Sequence, residues 1–247
     1  MGVSINKITL VVFSAGSGRR LLPYTYDTPK IFVGVGPNRI FDYVARPILH
    51  SHICKNSFFV IKKKRRKYKF LKASFRNLKL IQNSFHDSCH CSSSIAAALP
   101  KLDGDIMFLN SDLVLDKKNV HRIIRHASIS KSSVVFGLDR HALPDDCDLQ
   151  RVDVGEEDSI THWSMSLKKY SHYICGPVLI KAVDLKKIKT RVSNIGIPEL
   201  ITKPCFTFFS EMLGDVDFKL YTVNAGGFSE IDTPGDLGSL SLKRWIG

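Results

Sequence analysis

The sequence has 247 residues, 44% of them hydrophobic and 24% charged, and its formal net charge is +13. This composition is typical of a globular domain with a well-buried core, and it excludes a collagen, a coiled coil and a disordered chain. No apolar run approaches the about 20 residues of a membrane span, and the first run is too short for a signal peptide, so we expect a cytoplasmic protein without a transmembrane segment.

The part of the chain before residue 138 alternates predicted strands with predicted helices. Short apolar runs rich in β-branched or aromatic residues predict strands at residues 7–13, 57–61, 78–82, 105–109 and 133–137. Apolar residues at helical spacing predict helices at residues 39–50, at 92–99 and at 120–127, and a further helix that the basic run 62–69 opens. This alternation is typical of βαβ units and therefore predicts a parallel sheet.

The second half of the chain has a different pattern. Residues 148–154 and 159–163 alternate like antiparallel strands, and a helix near 198–212, a strand near 218–223 and a final helix from about 233 follow. We predict a single α/β, Rossmann-like domain over residues 1–247, with a mostly parallel mixed sheet flanked by helices. It carries a small β-rich insertion or lid at about residues 148–180.

The loop after the first predicted strand, SAGSGRRLLPYTYDTPK, combines glycines with cations. Gly16 and Gly18 let backbone N–H groups approach a phosphate closely, and Arg19, Arg20 and Lys30 supply positive charge. The residues alone leave two interpretations open, a polyphosphate cradle and a polar turn. The loop is not a Walker A motif, and it lacks the third glycine of the dinucleotide fingerprint.

Two acidic sites follow strand ends. Asp112 comes directly after the strand at 105–109, and Glu230 and Asp232 precede the last predicted helix. Mg²⁺ prefers hard oxygen ligands and commonly takes one or two carboxylates together with substrate phosphates. The alternative is structural, because Asp112 could cap a turn and Asp232 could be the N-cap of the last helix.

The loop sequence A-G-S-G-R-R-L-L-P-Y-T…T-P-K resembles the A-G-x-G-x-R-L-x-P-x-T…P-K signature of the sugar-phosphate nucleotidyltransferase family. The matching positions are Ala15, Gly16, Gly18, Arg20, Leu21, Pro23, Thr25, Pro29 and Lys30. The resemblance implies that residues 15–20 (Ala15, Gly16, Ser17, Gly18, Arg19 and Arg20) bind the nucleotide. It also implies that Arg20 and Lys30 are catalytic, with Lys30 neutralising charge at the α-phosphate.

The acidic segments resemble the same family. Its members carry a G-D at the end of this strand and an E-I-D-T-P-x-D-L late in the chain, which here correspond to Asp112 and to Glu230–Asp232. The resemblance implies that Asp112 and Asp232 chelate Mg²⁺. Ser111 stands where the family has glycine, and this is a departure beside the metal. The implied reaction is nucleotidyl transfer with release of pyrophosphate.

The short length and the E-I-D-T-P-x-D-L ending most resemble the cytidylyltransferases of phosphocholine and related phospho-alcohols or phosphonates. This favours CTP as the donor and a phosphorylated small molecule as the acceptor, in the synthesis of a cell-envelope or capsule precursor. Uridylyl or guanylyl transfer to a sugar 1-phosphate remains the alternative. The resemblance places Asn83 and Ser94 at the nucleotide.

The acceptor is expected to contact the second half of the chain. Trp163, Tyr170 and Tyr173 could form an aromatic wall for a quaternary ammonium, or they could simply pack in the core. The resemblance places a lysine for the acceptor phosphate at Lys168 or Lys169, and we add Glu230 to the expected acceptor site.

Other functions compete with this one. The chain could be a catalytically silent nucleotide-binding regulatory subunit or a basic nucleic-acid-binding protein. The basic run 62–69 could bind an anionic membrane weakly, but we expect mostly a solvated face, with Phe70, Leu71 and Phe75 turned inward and no specific nucleic acid bound. Cys89 and Cys91 form a C-x-C that lacks the usual spacing of a zinc site, so we expect reduced cysteines and no zinc.

Overall fold

The structure is a computed structural model that describes residues 5–62, 66–85, 92–143 and 149–239. The Cys89 and Cys91 pair and part of the basic run lie outside the described residues. The strands are β1 (Ile8–Ser14), β2 (Gly34–Val35), β3 (Asn38–Arg39), β4 (Cys54–Ile61), β5 (Leu78–Gln82), β6 (Asp105–Asn110), β7 (Leu113–Leu115), β8 (Val134–Asp139), β9 (Arg151–Val154), β10 (Ile160–Ser164), β11 (His172–Ile180), β12 (Lys219–Thr222) and β13 (Phe228–Glu230).

Helices flank these strands. They are α1 (Ile40–Tyr43), α2 (Ala45–His50), α3 (Arg66–Ser74), α4 (Ser92–Ala98), α5 (Lys117–Ile129), α6 (Ala182–Ile195), α7 (Ile197–Thr202), α8 (Cys205–Ser210) and α9 (Pro234–Ser239). Within the ranges that the structure describes, none of these helices has the length and hydrophobicity that crossing a membrane requires.

The main sheet has the strand order β10–β9–β11–β6–β1–β4–β5, and β8 pairs with both β11 and β12. Strand β1 is parallel to β4 and β6, and β5 is parallel to β4, whereas β11 is antiparallel to β6. The predicted mostly parallel mixed sheet is therefore confirmed, with the antiparallel pair β9–β10 as extra strands in the second half. The carboxyl ends of β1, β4 and β6 share one edge, which is where open α/β sheets bind ligands.

A hydrophobic core covers each face of the sheet. Successive side chains of β1 alternate between the two, with Leu10 and Val12 in one core and Val11 and Phe13 in the other. Helices α2, α3 and α5 contribute buried residues to the first core, and α4, α6 and α8 contribute to the second. Both faces are covered, which explains why KITLVVF reads as a continuous apolar run.

A two-stranded antiparallel ribbon lies beside the sheet and joins distant parts of the chain. Strand β7 pairs with β13, with Leu113 opposite Glu230, and the backbone N–H of Ile231 donates to the carbonyl of Asp112 at 3.0 Å. The two acidic segments of the sequence are thus held next to each other by backbone hydrogen bonds.

Two local predictions are wrong. Helix α6, 14 residues long, is not among the predicted elements, although its buried Leu185 and Ile188 have helical spacing. In α3 the inner residues are Tyr68 and Leu71, whereas the side chain of Phe70 is 68% exposed. The helix is rotated about its axis so that Tyr68, and not Phe70, faces the sheet.

Candidate active site

A cavity of about 340 Å³ lies at the carboxyl edge of the sheet. Its lining includes every residue predicted to be catalytic, to bind nucleotide or to bind metal: Ala15, Gly16, Ser17, Gly18, Arg19, Arg20, Lys30, Asn83, Ser94, Asp112 and Asp232. Phe13, Ser14, Ser93, Asn110 and Ser111 complete the lining. Residues from the loop after β1, the end of β5, the start of α4, the end of β6 and the segment after β13 therefore meet around one space.

The loop after β1 is held in shape by a contact between Gly18 and Thr25. Gly18 has φ +64°, and the Thr25 hydroxyl donates to its carbonyl at 2.6 Å. A Cβ at position 18 would lie 2.9 Å from the Thr25 methyl carbon, whereas a Cβ at Gly16 would meet nothing within 4 Å. Gly18 is thus required by the fold of the loop, and Gly16 leaves open space at the cavity.

Tyr68 anchors the start of the same loop. Its hydroxyl lies 2.6 Å from Ser14 Oγ and donates to the Ser14 carbonyl at 3.1 Å, and its side chain is only 1% exposed. The basic helix α3 therefore has a structural role at the cavity, through its one tyrosine. Sequence reasoning missed this contact, because nothing local in the sequence links Ser14 to Tyr68.

Lys30 joins the two predicted metal ligands. Its Nζ lies 3.0 Å from Asp112 Oδ2 and also donates to Asp232 Oδ1, while Arg20 contacts Asp232 Oδ2 at 2.9 Å. Burial acts to lower the pKa of Lys30, but the nearby Asp112 and Asp232 carboxylates outweigh it, so the pKa is raised. Lys30 is therefore a fixed cation at neutral pH.

Asp236 positions Asp232. Its Oδ2 accepts hydrogen bonds from the backbone N–H groups of Asp232 (2.8 Å) and Thr233 (2.6 Å), at the start of α9. The structural alternative, in which Asp232 itself caps this helix, is therefore not what the structure shows. The capping falls to Asp236, and the side chain of Asp232 turns to Lys30 and Arg20.

Glu230 lies close to these groups, partly buried at the end of β13. Burial and then the charges of Asp112 and Asp232 raise its pKa to about 8, against the opposing effect of Lys30 and Arg20. The carboxyl group of Glu230, which favours its neutral form, thus lies beside the carboxylates of Asp112 and Asp232.

The carboxylates have room for a divalent cation. Asp112 Oδ1 is buried and has no hydrogen-bond partner among the described residues, although its other oxygen contacts Lys30. An unpaired buried carboxylate oxygen is costly unless a ligand satisfies it. In the described ranges no group of three or more His, Cys, Asp or Glu could hold a metal by itself. The donor set therefore fits Mg²⁺ that completes its shell with phosphate and water oxygens.

Asn83 forms the opposite wall with the start of α4. Its amide nitrogen donates to Ser93 Oγ at 2.8 Å and approaches Ser94 Oγ at 3.4 Å, while its Oδ1 accepts from the N–H of Phe85. Asn83 is 1% exposed, so these contacts fix its orientation. Ser93 is the partner that the sequence analysis did not single out, although it directly precedes Ser94.

The aromatic wall expected for the acceptor is not formed. Trp163 belongs to one core and packs against Phe209 and Phe218, whereas Tyr170 and Tyr173 lie in the other core with their hydroxyls 2.7 Å apart. The two groups are on opposite faces of the sheet, and each is less than 8% exposed. Core packing, the alternative interpretation, is the correct one for these three side chains.

The other expected acceptor residues lie at the same edge of the sheet as the cavity but do not line it. Lys168 and Lys169 are exposed in the connection between β10 and β11. Because β11 is antiparallel to β6, its beginning and this connection lie toward the carboxyl end of β6. Glu230 is beside the carboxylates, as described above.

A comparison of the sequence with models of protein families identifies its family. Residues 9–147, more than half of the chain, match the family described as Nucleotidyl transferase. No curated protein matches the chain by sequence.

Several solved structures share the fold. The CTP:phosphocholine cytidylyltransferase of Streptococcus pneumoniae has a TM-score of 0.78 at 17% identity, covering 95% of this chain and 97% of that one. The inositol-1-phosphate CTP transferase of T. maritima has a TM-score of 0.76 at 15% identity, with 98% and 94% covered. A UDP-glucose pyrophosphorylase complexed with UDP-glucose has a TM-score of 0.69 at 11% identity, with 94% and 95% covered. At these identities the likeness shows the fold.

Proposed function

The chain belongs to the nucleotidyl transferase family, and we propose that it transfers CMP from CTP to a phosphorylated small molecule with release of pyrophosphate. The acceptor we propose is a phosphocholine-like phospho-alcohol or a phosphonate. The observation that carries the proposal is the meeting of Lys30, Asp112 and Asp232 beneath the glycine loop in one cavity. This meeting supports the proposal, because a triphosphate with its Mg²⁺ needs cations and carboxylates in one place.

We assign a separate role in binding to each group of cavity residues. The backbone of Gly16 to Gly18 and the guanidinium of Arg20 bind the triphosphate, and Lys30 lies at the α-phosphate. Asp112 and Asp232 would hold Mg²⁺, which when bound neutralises phosphate charge. The acceptor phosphate is already anionic near neutral pH, so no general base is needed. Its oxygen forms the new bond to the α-phosphorus as the bond to the β-phosphate oxygen breaks.

Lys30 acts in this scheme as an electrostatic stabiliser. Its raised pKa keeps the ammonium charged. The ammonium can therefore stabilise the negative charge that develops at the α-phosphate, but it cannot accept a proton. Its contacts with both aspartates hold the ammonium in the cavity before substrate binds. This preorganisation avoids a reorganisation cost during the reaction.

CTP is favoured as the donor because two of the similar structures are CTP-using transferases that match nearly the whole chain. We assign the base to the wall made by Asn83 and Ser94, because both residues line the cavity. Lys168 and Lys169 are assigned to the acceptor phosphate, and Glu230 to the acceptor side of the carboxylates.

A second candidate is uridylyl or guanylyl transfer to a sugar 1-phosphate. It is supported by the similarity to the UDP-glucose pyrophosphorylase fold over nearly the whole chain. The two candidates differ in donor and acceptor but share the same cavity and the same chemistry.

One assay tests both candidates. The protein is incubated with Mg²⁺, each ribonucleoside triphosphate in turn and a panel of phospho-alcohols, phosphonates and sugar 1-phosphates, and pyrophosphate is measured. We expect release with CTP and a phospho-alcohol or phosphonate. Release only with UTP or GTP and a sugar 1-phosphate would support the second candidate. Tight nucleotide binding without release from any pair would contradict both and favour a regulatory subunit.

A further inference from the structure

One segment of the chain is unusually rich in positive charge. Residues 43–86 contain twelve Lys and Arg residues and no Asp or Glu. Within the described part of this segment, Lys67, Lys69 and Lys72 are exposed on α3, and Arg76 is exposed directly after it. Exposed cations that no carboxylate of the same segment offsets produce a strong local positive potential.

The same helix exposes an aromatic ring. Phe70 is 68% exposed, and Tyr26 in the loop after β1 is 77% exposed. They are the two most exposed large hydrophobic residues in the part of the chain that the structure describes. Neither contributes to a core, so the fold itself gives no reason for a large apolar side chain at these positions.

A hydrogen bond links the two segments that carry these aromatic residues. Lys67 Nζ donates to Thr28 Oγ1 at 2.7 Å, which fastens the first turn of α3 to the loop. Tyr26 is two residues before Thr28, and Phe70 is three residues after Lys67, so it is one turn further along the helix. We call Tyr26, Lys67, Lys69, Phe70 and Lys72 the cationic aromatic patch.

We propose that the cationic aromatic patch docks the protein on a bilayer that carries anionic headgroups. Lysines attract the negative surface, and the largely exposed rings of Phe70 and Tyr26 can then insert among the headgroups. The lysine stems can lie along the interface while their ammonium groups contact phosphate. Charge and apolar exposure therefore both match an anionic lipid surface.

A single-stranded nucleic acid fits these observations less well. Such ligands stack successive bases on aromatic rings along a cationic groove. Here one ring projects from the outer face of a helix and the other from a loop, and none of the patch residues lines the active-site cavity. RNA binding is thus the competing outcome of the test.

Docking at this patch would bring the active-site loop close to the bilayer. Tyr26 and Thr28 belong to the same loop as Gly16, Gly18 and Lys30, which line the cavity. The inference is independent of the proposed function, because binding to vesicles needs neither nucleotide nor turnover.

The first test measures cosedimentation with vesicles of phosphatidylcholine alone and of phosphatidylcholine mixed with phosphatidylglycerol. We expect binding to the anionic vesicles only, weakened by salt. The variant Lys67→Gln/Lys69→Gln/Lys72→Gln should bind about a hundredfold less tightly, since each lysine near such a surface contributes about fivefold. The control Lys118→Gln/Lys131→Gln/Lys186→Gln removes the same charge from exposed lysines elsewhere and should lose far less. An equal loss in both variants, or no binding by the wild type, would overturn the proposal.

The second test asks whether Phe70 inserts. In a background that carries Trp163→Phe and Trp245→Phe, the variant Phe70→Trp should shift its emission to the blue on anionic vesicles. Val183→Trp is the matched control, since Val183 is 62% exposed on α6, which packs against the other face of the sheet. The proposal fails if the emission at position 70 does not move. It also fails if a single-stranded RNA oligonucleotide competes the vesicles off and is bound with a steep salt dependence.

Discussion

Lys30 Nζ lies 3.0 Å from Oδ2 of Asp112 and also contacts Asp232, so an ammonium stands between the two carboxylates expected to bind metal. The lysine side chain is 13% exposed and each carboxylate about a quarter exposed, which limits screening by water. These two carboxylates are thus paired with cations of the protein itself, Lys30 at both and Arg20 at Asp232. Any divalent ion that binds there must share these oxygens with Lys30.

Lys30→Gln should therefore separate the two roles of the lysine. Turnover should fall by about a hundredfold or more, because a preorganised charge at the α-phosphate is lost. At the same time Mn²⁺ should bind the nucleotide-free protein about tenfold more tightly or better, because the competing ammonium is gone. Calorimetry with Mn²⁺ and a pyrophosphate assay measure the two effects. Arg20→Gln is the control for Mn²⁺ binding, since its side chain is 67% exposed and should change it less. Unchanged turnover in Lys30→Gln would contradict the assignment.

The acidic residues give a second contrast. Asp112→Asn and Asp232→Asn should each lower turnover by about a hundredfold or more and weaken Mn²⁺ binding, while the protein stays folded. Asp116→Ala removes a nearby carboxylate that instead caps α5, where its Oδ1 accepts from the Asn119 N–H at 2.7 Å. It should keep turnover and lose about 1 kcal/mol of stability. Denaturant titration and the pyrophosphate assay distinguish the two, and a fully active Asp232→Asn would refute its role.

The parts of the cavity that a short stretch of sequence determines could be predicted. The loop from Ala15 to Lys30 carries its own glycines and cations, and Asp112 follows a recognisable buried strand, so both could be placed at one edge of a parallel sheet. The contact between Ser14 and Tyr68 could not be predicted, because it depends on how α3 is rotated against the sheet.

The error at the aromatic residues has the same physical origin. In a strand, neighbouring side chains point to opposite faces, so the face of a residue depends on register. Trp163 pairs opposite Val152 and Tyr173 opposite Arg151, which sends the two rings to different cores. Sequence alone shows that both are aromatic but does not give this register.

The placement of Trp163 makes a third prediction. Its indole N–H is buried without a hydrogen-bond partner among the described residues, so Trp163→Phe loses no hydrogen bond and should leave the acceptor KM unchanged. Trp163→Ala should destabilise the protein by about 3–5 kcal/mol, because a large buried side chain is removed. By contrast, the variant Lys168→Gln/Lys169→Gln should raise the acceptor KM about tenfold through a lost phosphate contact and leave stability unchanged. A rise in the acceptor KM of Trp163→Phe would instead support the interpretation that Trp163 contacts the acceptor.

His126 links stability to pH. Its ring stacks on Tyr221 with centroids 4.0 Å apart, and burial lowers its pKa below the ordinary value near 6.5. The folded state thus favours neutral histidine, so its contribution to stability is complete above the unfolded pKa and is lost as pH falls through the folded pKa. Denaturant titrations from about pH 7.5 to about pH 5.5 should show falling stability, and His126→Phe, which keeps an aromatic ring, should reduce that fall. An identical fall in the variant would assign the effect to other groups.

The two glycines of the active-site loop should respond differently to the same substitution. Gly18→Ala places a side chain at φ +64° and within 2.9 Å of Thr25, so it should destabilise the protein by about 1–2 kcal/mol and disturb the loop. At Gly16 a Cβ meets no atom within 4 Å, so Gly16→Ala should leave the melting temperature unchanged. Because Gly16 lines the cavity, we nevertheless expect Gly16→Ala to weaken nucleotide binding, by occupying the space where the backbone approaches a phosphate. Thermal denaturation with calorimetric titration of CTP measures both effects. Normal CTP affinity in a stable Gly16→Ala protein would mean that the phosphates lie elsewhere in the cavity, and the roles of Arg20 and Lys30 would then have to be reassigned with them.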